Sequence, residues 1–406
     1  MSLTRRHFLA GAALAGPVLA FRGADASQER LRLVADTPAL YRDIFALAFS
    51  RLASVDPGLG VDVSWTQDYT QTLQQSLRDK LIGQAPDIAL HAHNNIAMLA
   101  RRGAIAPLDS LAGTSDAEMR STIGAVGGRH YGVPFSLSVP VVYLNCNLIG
   151  RRENLPTTWD EILSSAASAD AASGGAFFNY ATDGSWTFMA LIESLGGRIL
   201  DAEGTGIAFD SAEGLEAMEI LSSFAKVRKG ETLTASQARE AFASGALGIH
   251  IDTTSRLRFF EQQAKGKFDL SVTPFPLKKS PAARIPPSGG SLAIMATDHD
   301  RQAKAYALLR SLLSAEVQSQ VLSKTGFIPG LATFEGEKSL DAELAASSHF
   351  SAIAPTLAVL GPWVSFPVDN PARVDRAVQD ALNAQAALQS TPRQTLDRIV
   401  AAARQG

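Results

Sequence analysis

Between residues 30 and 103 the hydrophobic period switches back and forth between that of a strand and that of a helix, and few folds accommodate this. Arg30-Leu31-Arg32-Leu33-Val34 alternates polar and apolar side chains at the period of two expected of a strand. Thr37-Pro38 then reads as an N-cap with proline in the first helical position. Behind it Leu40, Ile44, Leu47, Ala48 and Leu52 recur at helical spacing. Residues 60–65 (GVDVSW) form a second strand, and residues 69–81 a second helix with Leu73, Leu77 and Leu81 on one face. Pro86-Asp87-Ile88-Ala89-Leu90 is a third strand, followed by a helix over about 95–102 that stops at Gly103. Strand–helix–strand repetition predicts an α/β layer on a largely parallel sheet.

Beyond Gly103 the pattern loosens. Residues 127–135 and 139–144 read as short strands around Pro134 and Pro140, with a loop at Ser136-Leu137-Ser138. Helices are expected over 158–172, 185–195, 211–227 and 236–244, then a buried strand over 246–251 (ALGIHI). Pro274, Pro276, Pro281, Pro286 and Pro287 exclude a regular helix or central strand and lead into Gly289-Gly290 and a strand over 291–295. Helices return over 301–313, 315–323, 371–388 and 391–404. Chain crossings near 139–143, 286–292 and 355–363 would form a three-segment hinge between two lobes. Two serial domains joined once are the alternative. The expected lobes are residues 27–139 plus about 293–355, and 140–292 plus about 356–406.

The first residues are an export address. Thr4-Arg5-Arg6-His7-Phe8-Leu9 fits the twin-arginine pattern, residues 8–21 supply the apolar run, and Ala24-Asp25-Ala26 the cleavage site. That places the signal peptide at 1–26, the mature start at Ser27 and the protein in the periplasm. The run is shorter than the roughly 20 residues a spanning helix needs. Cys146 is the only cysteine, so no lipid-anchor site follows the run and no internal disulfide can form. Stability must come from packing, and 46% hydrophobic residues supply it. Net charge is −3, no basic block occurs, and neither nucleic acid nor a membrane surface has electrostatic support as a partner.

Catalytic signatures are missing: there is no G-x-S-x-G, H-E-x-x-H, P-loop or G-x-G-x-x-G. His91 and His93 would share one face if His91-Ala92-His93 lay on a strand, yet no third ligand is visible nearby, and Asn94-Asn95 reads as a turn capping the next helix. A cleft wall at the strand's carboxyl end suits His93 and Asn94 better than a metal. No metal and no cofactor are expected. Tyr69, Trp186 and Trp363 stand at junctions of loops and elements, where aromatic faces suit the C–H face of a sugar ring and hydroxyls suit its rim. For each of them a place in a lobe core is the plain alternative.

Several motifs taken in order carry a resemblance. Pro86-Asp87-Ile88, Arg102-Gly103-Ala104-Ile105-Ala106-Pro107-Leu108, Tyr131-Gly132-Val133-Pro134-Phe135, Tyr143-Leu144-Asn145 and Pro156-Thr157-Thr158-Trp159-Asp160-Glu161 resemble family-1 extracellular solute-binding proteins. Phe242-Ala243-Ser244-Gly245-Ala246, Gly289-Gly290-Ser291-Leu292 and Thr325-Gly326-Phe327-Ile328-Pro329 continue the likeness. The resemblance implies a two-lobed periplasmic binding fold (type II, α/β), a small-molecule solute in an interlobe cleft, and inner-membrane ABC permease subunits as partners. It implies a monomer that binds and releases rather than an enzyme. The glycerol-3-phosphate branch looks most similar, and by that likeness Tyr69, Ser138, Trp186, Thr253, Thr254, Gly290 and Phe327 face ligand. The chain departs from that branch in three places. His91 to Asn95 stand where the branch has an acid, Phe327 replaces a tyrosine, and Pro367-Val368-Asp369-Asn370 lacks the arginine of its R-x-x-N pattern. A phosphate buried without a cation is costly, so a neutral sugar, polyol or glycoside is expected.

Overall fold

The computed structural model describes residues 29–111, 123–150, 153–168, 175–180, 185–330, 341–346, 348–368 and 371–405. The export signal, Ala24-Asp25-Ala26, Ser27, Asp183-Gly184 and Asp369-Asn370 lie outside those residues. The strands are β1 (Glu29–Ala35), β2 (Leu59–Trp65), β3 (Ile88–Ala92), β4 (Ala125–Val126), β5 (Arg129–His130), β6 (Val133–Ser138), β7 (Pro140–Asn145), β8 (Ala176–Phe178), β9 (Ile249–Thr253), β10 (Leu270–Pro274), β11 (Ser288–Ile294) and β12 (Ile328–Pro329).

They form two main sheets. The larger runs β12-β6-β11-β3-β1-β2 and the smaller β10-β7-β9-β8, with β4 and β5 a separate hairpin. In the larger sheet β1 pairs parallel with β2 and β3, as the alternating pattern predicts. The expected parallel character stops there. β11, from far along the chain, enters antiparallel between β3 and β6, and β12 pairs antiparallel with β6. Helices cover both faces. Tyr41 and Phe45 of the helix Pro38–Val55 pack with Leu309 and Val317 on one side. Ile96 and Leu99 of the helix His93–Arg101 pack with Ala89 and Met295 on the other. Every residue of β3 is buried, as a strand covered on both faces must be.

The smaller sheet has its own core, in which rings meet edge to face. Tyr143 lies 4.7 Å from Phe260, Trp159 5.0 Å from Phe275, and Phe242 5.0 Å from Phe260 between ring centroids. The helices Ala212–Val227, Pro371–Ala386 and Pro392–Gln405 close over it. Phe350 and Ile353 of the helix Ser348–Leu357 also join this second core, ahead of the crossing expected at 355–363.

Ser136-Leu137-Ser138, read as a loop, is instead the end of β6: the residues continue the ladder with β11 and β12, and pairing outweighs the serines' preference for turns. The helix expected over 158–172 is described as Trp159–Ser168. The strand expected over 246–251 lies at Ile249–Thr253. The helix Leu257–Ala264 was not expected from the sequence; it spans only eight residues, of which Leu257, Phe260 and Ala264 are buried.

The chain passes from the larger to the smaller sheet at Val139 and returns between β10 and β11. At the first passage Thr254 N–H donates to the Val139 carbonyl (2.9 Å), and Val139 N–H donates to Thr254 Oγ1 (3.2 Å). Gly326 rests against the same turn, where a Cβ would lie 2.0 Å from the Thr254 carbonyl oxygen. Gly326→Ala is therefore expected to destabilise the fold by about 1–3 kcal/mol. Gly58→Ala, whose nearest neighbour would be 3.5 Å away, should change it little; urea unfolding of the two variants checks this.

Candidate cleft at the carboxyl edge of the larger sheet

The parallel strands of the larger sheet share a carboxyl edge, the place where α/β sheets expose backbone ends and helix starts to a ligand. β1 ends at Ala35, and Asp36 follows, a residue only 4% exposed. Thr37 then has φ 52 and ψ 56, a left-handed conformation that a β-branched residue rarely adopts. It occupies the predicted N-cap position, but its hydroxyl does not cap the helix. It donates to Asp36 Oδ2 (2.7 Å). Sparsely populated backbone of this kind, held by its surroundings, clusters at functional sites. Burial raises the Tyr41 phenol well above its ordinary range and the Asp36 charge adds to this, while its bond to Ser136 Oγ (3.0 Å) opposes both.

β2 delivers Thr66, which bonds Thr72 through the side chains (2.6 Å), then Asp68, which accepts from Gln71 N–H and so caps the helix Tyr69–Leu81. Tyr69 is the first residue of that helix, half-buried, and it packs against the cores of both sheets. Its ring reaches the sheet because Gly290 has no side chain: a Cβ there would lie 3.2 Å from the ring and 2.8 Å from Leu90. Gly289, on the opposite face, has φ 125 and gives His93 the same freedom, since a Cβ would lie 3.1 Å from His93 Nε2. The Gly289-Gly290 pair thus seats an aromatic ring and an imidazole on the two faces of one strand.

β3 ends at Ala92, and His93 opens the next helix, so the strand geometry that would align His91 with His93 is not realised. His93 Nδ1 pairs with Ser291 Oγ (2.7 Å), and neither ring nitrogen of His91 has a hydrogen-bond partner. Burial pushes His91 down to about 4. It pushes His93 down to about 3, against a weaker upward pull from the Ser136 carbonyl. Both imidazoles are neutral at pH 7. Among the described residues no group of three or more His, Cys, Asp or Glu is placed to hold a metal ion.

The other expected residues separate into groups. Asn94 stands beside His93, and its carbonyl accepts from Ser365 Oγ (3.0 Å), which ties the cleft edge to the segment carrying Trp363. Phe327 leans on Tyr41, 6.0 Å between centroids, at the same edge. Ser138, Thr253 and Thr254 belong to the hinge. Ser138 Oγ bonds Thr253 Oγ1, and Thr254 Oγ1 is held by Val139. Trp186 and Trp363 face one another at 6.5 Å, 1% and 8% exposed, and Trp186 Nε1 donates to the Pro286 carbonyl (2.8 Å). They pack the second crossing, which Arg284 anchors by two bonds to buried Glu193 (3.0 and 2.7 Å). Neither indole presents an open face. Asp36 and Tyr41 were missed as site candidates because Asp36-Thr37-Pro38 reads locally as nothing more than a helix start.

A two-lobed α/β arrangement with a site at the sheet edge has a counterpart among known families. The family described as bacterial extracellular solute-binding protein matches residues 56–319. The chain belongs to that family. Its members are binding proteins, not enzymes, and the family is an exported one. Solved structures of the same fold include the GacH receptor of Streptomyces glaucescens, studied unliganded and with acarbose, at TM-score 0.76 and 16% identity over 93% of this chain and 98% of that one. The ABC substrate-binding protein Lmo0181 from Listeria monocytogenes, bound to cycloalternan, has TM-score 0.76 and 15% identity with the same coverage. UgpB from Mycobacterium tuberculosis, bound to glycerophosphocholine, has TM-score 0.75 and 19% identity over 91% and 97%. No curated protein is similar enough in sequence to count as a relative.

The two neutral histidines give this solute-binding protein a defined acid response. Their folded values lie below the ordinary 6.5, so the unfolded chain binds protons that the folded one does not. Their contribution is complete above pH 6.5 and is lost as pH falls toward 4, by roughly 1.4 kcal/mol per unit for each histidine inside the window. Denaturant unfolding at pH 7, 6 and 5 should show that decline, with a shallower slope in His91→Leu.

Proposed function

We propose that this protein is the periplasmic substrate-binding component of an ABC importer that captures a neutral carbohydrate-like solute and passes it to a permease. The observation that carries the solute class is the carboxyl edge of the larger sheet, where buried Asp36 follows β1, half-buried Tyr69 follows β2 and neutral His93 follows β3. A buried carboxylate accepts from sugar hydroxyls and repels a phosphate, while an aromatic ring packs on sugar C–H groups. Acarbose and cycloalternan, bound by two proteins of this fold, are in keeping with that class. Tyr69, His93, Asn94, Gly290 and Phe327 form the ligand-facing set, joined by Asp36, while Ser138, Thr253, Thr254, Trp186 and Trp363 act through the hinge.

In this reading one lobe comprises residues 27–139 with about 288–330, and the other residues 140–287 with the segment from about 341 onward. The ligand stabilises the closed arrangement because only there does it touch both lobes. Twin-arginine export followed by cleavage after Ala26 delivers the folded chain to the periplasm.

A glycerol-phosphate ester is the second reading. Its support is Arg42, whose guanidinium lies over the Trp65 ring (5.7 Å) at the end of β2. Thermal unfolding of the chain from Ser27 onward against sugars, polyols, glycosides and glycerol phosphates separates the two. A ligand at 100 times its dissociation constant adds about 2.7 kcal/mol. A shift with a neutral compound, weakened at least about 10-fold by Tyr69→Ala in calorimetric titration, is the expected outcome. A shift with phosphates alone, abolished by Arg42→Gln, would replace it.

A further inference from the structure

The segment 358–368 is carried by the second lobe, yet it reaches the first. Ile285 N–H donates to the Val359 carbonyl and Gly361 N–H to the Ile285 carbonyl (both 2.9 Å), which lays the segment beside the second crossing. Trp363 packs against Trp186, and Phe366 lies 6.2 Å from Phe209 between centroids; both rings are buried in the core of the smaller sheet. Between these two anchors Ser365 Oγ donates to the Asn94 carbonyl (3.0 Å). Asn94 is the second residue of the helix His93–Arg101, whose Ile96 and Leu99 pack on the larger sheet. This single bond therefore has one partner in each lobe.

Its place in the fold makes the bond sensitive to how the lobes stand. The chain crosses between lobes after β6 and ahead of β11, and β3, which leads to Asn94, lies two strands from β6 and one from β11. Strands are spaced about 4.8 Å apart, so Asn94 stands roughly 5–10 Å to the side of the crossings. A rotation of about 15° displaces a group at that distance by about 1–3 Å. An O–H···O bond needs a separation of about 2.5–3.0 Å, so such a rotation breaks it. Breaking it strands nothing. The Asn94 carbonyl keeps its place in the helix ladder, where the Met98 N–H donates to it by helix geometry, and the half-buried Ser365 hydroxyl turns to water. The bond is thus a reversible bias on the lobes rather than a strut, and a hydrogen bond of this kind changes a two-state ratio by about 2- to 10-fold.

We infer that Ser365 is a positioning residue for closure, a role that rests on the cleft being a solute trap. Its bond raises the fraction of molecules whose lobes already meet, and apparent affinity for the solute scales with that fraction. Nitroxide labels at Gln74→Cys and Glu219→Cys, exposed positions on one helix of each lobe, report the interlobe distance by double electron–electron resonance, with buried Cys146 left in place. With no solute added, Ser365→Ala is expected to lower the ratio of short to long distances by about 2- to 10-fold. Ser365→Thr, which keeps the hydroxyl, should restore it. Identical distance distributions in the wild type and Ser365→Ala overturn the inference, as does a ratio that Ser365→Thr leaves as low as Ser365→Ala. A fall in urea-unfolding stability at unchanged distances would make Ser365 a strut of the second lobe and overturns it too. If Ser365→Thr does not fold, the wild type against Ser365→Ala decides alone. No solute enters the measurement, so its failure leaves the solute class untouched, and a different solute class leaves its result standing.

Discussion

Val139 is where one polypeptide becomes two bodies. Its carbonyl and its N–H are both held by Thr254, so the step from β6 to β7 is fixed against the end of β9 rather than left as a free linker. Ser138 and Thr253 join their hydroxyls across the same point, Tyr143 donates to the Thr253 carbonyl (2.7 Å), and Gly326 leaves room for the turn. Rotation of one sheet against the other must pass through these contacts together with the crossing between β10 and β11. A hinge made of a few element-terminal residues leaves the two cores intact as they move. The hydroxyls that resemblance places against ligand therefore have a positioning role that their residue types alone do not reveal.

Charge is distributed unevenly between cleft and hinge. At the sheet edge the imidazoles are neutral and Asp36 is the buried charge, bonded by its own neighbour Thr37. Behind the hinge, Asp252 is fully paired: Arg239 reaches it by two bonds (2.7 and 3.2 Å), His250 Nε2 by one (3.2 Å), and the Thr253 N–H by another (2.8 Å). Burial opposes its ionisation, but these partners outweigh burial and hold its carboxyl far below the usual range. The His250 ring in turn stacks on Phe177 of β8 (5.9 Å), which ties the paired charge to the core of the smaller sheet. A buried charge with four donors stiffens the strand that carries it.

Much of this was legible in the residues. β1, β2 and β3 follow from alternation and length, and the helix at Tyr69 begins where its spacing begins. The proline cluster marks the second crossing, because proline forbids the alternatives. Non-local pairing was not legible. Ser136-Leu137-Ser138 looks like a loop until β11 and β12 bond to it, and the sheet is mixed because a distant strand enters it. Among the site candidates, Tyr69 and His93 were named from their positions at element ends, and Gly290 from the resemblance alone. Asp36 was not, since its burial depends on the fold around it. Trp186 and Trp363 show the converse. Large aromatics at loop junctions look like a ligand platform, yet the hinge uses them to pack against each other.

The entry of β11 between β3 and β6 also sets an order of events during synthesis. β3 and β6 are complete long before Ser288 is made, and until then neither has its partner on that side. At about 5–20 residues per second, the roughly 200 residues from Ala92 to Ser288 keep the inner edge of β3 open for about 10–40 seconds. An apolar strand with an unpaired edge is a template for pairing with other chains. The first lobe thus cannot close before most of the second has left the ribosome, which makes its exposed strands a natural client for a chaperone in that interval.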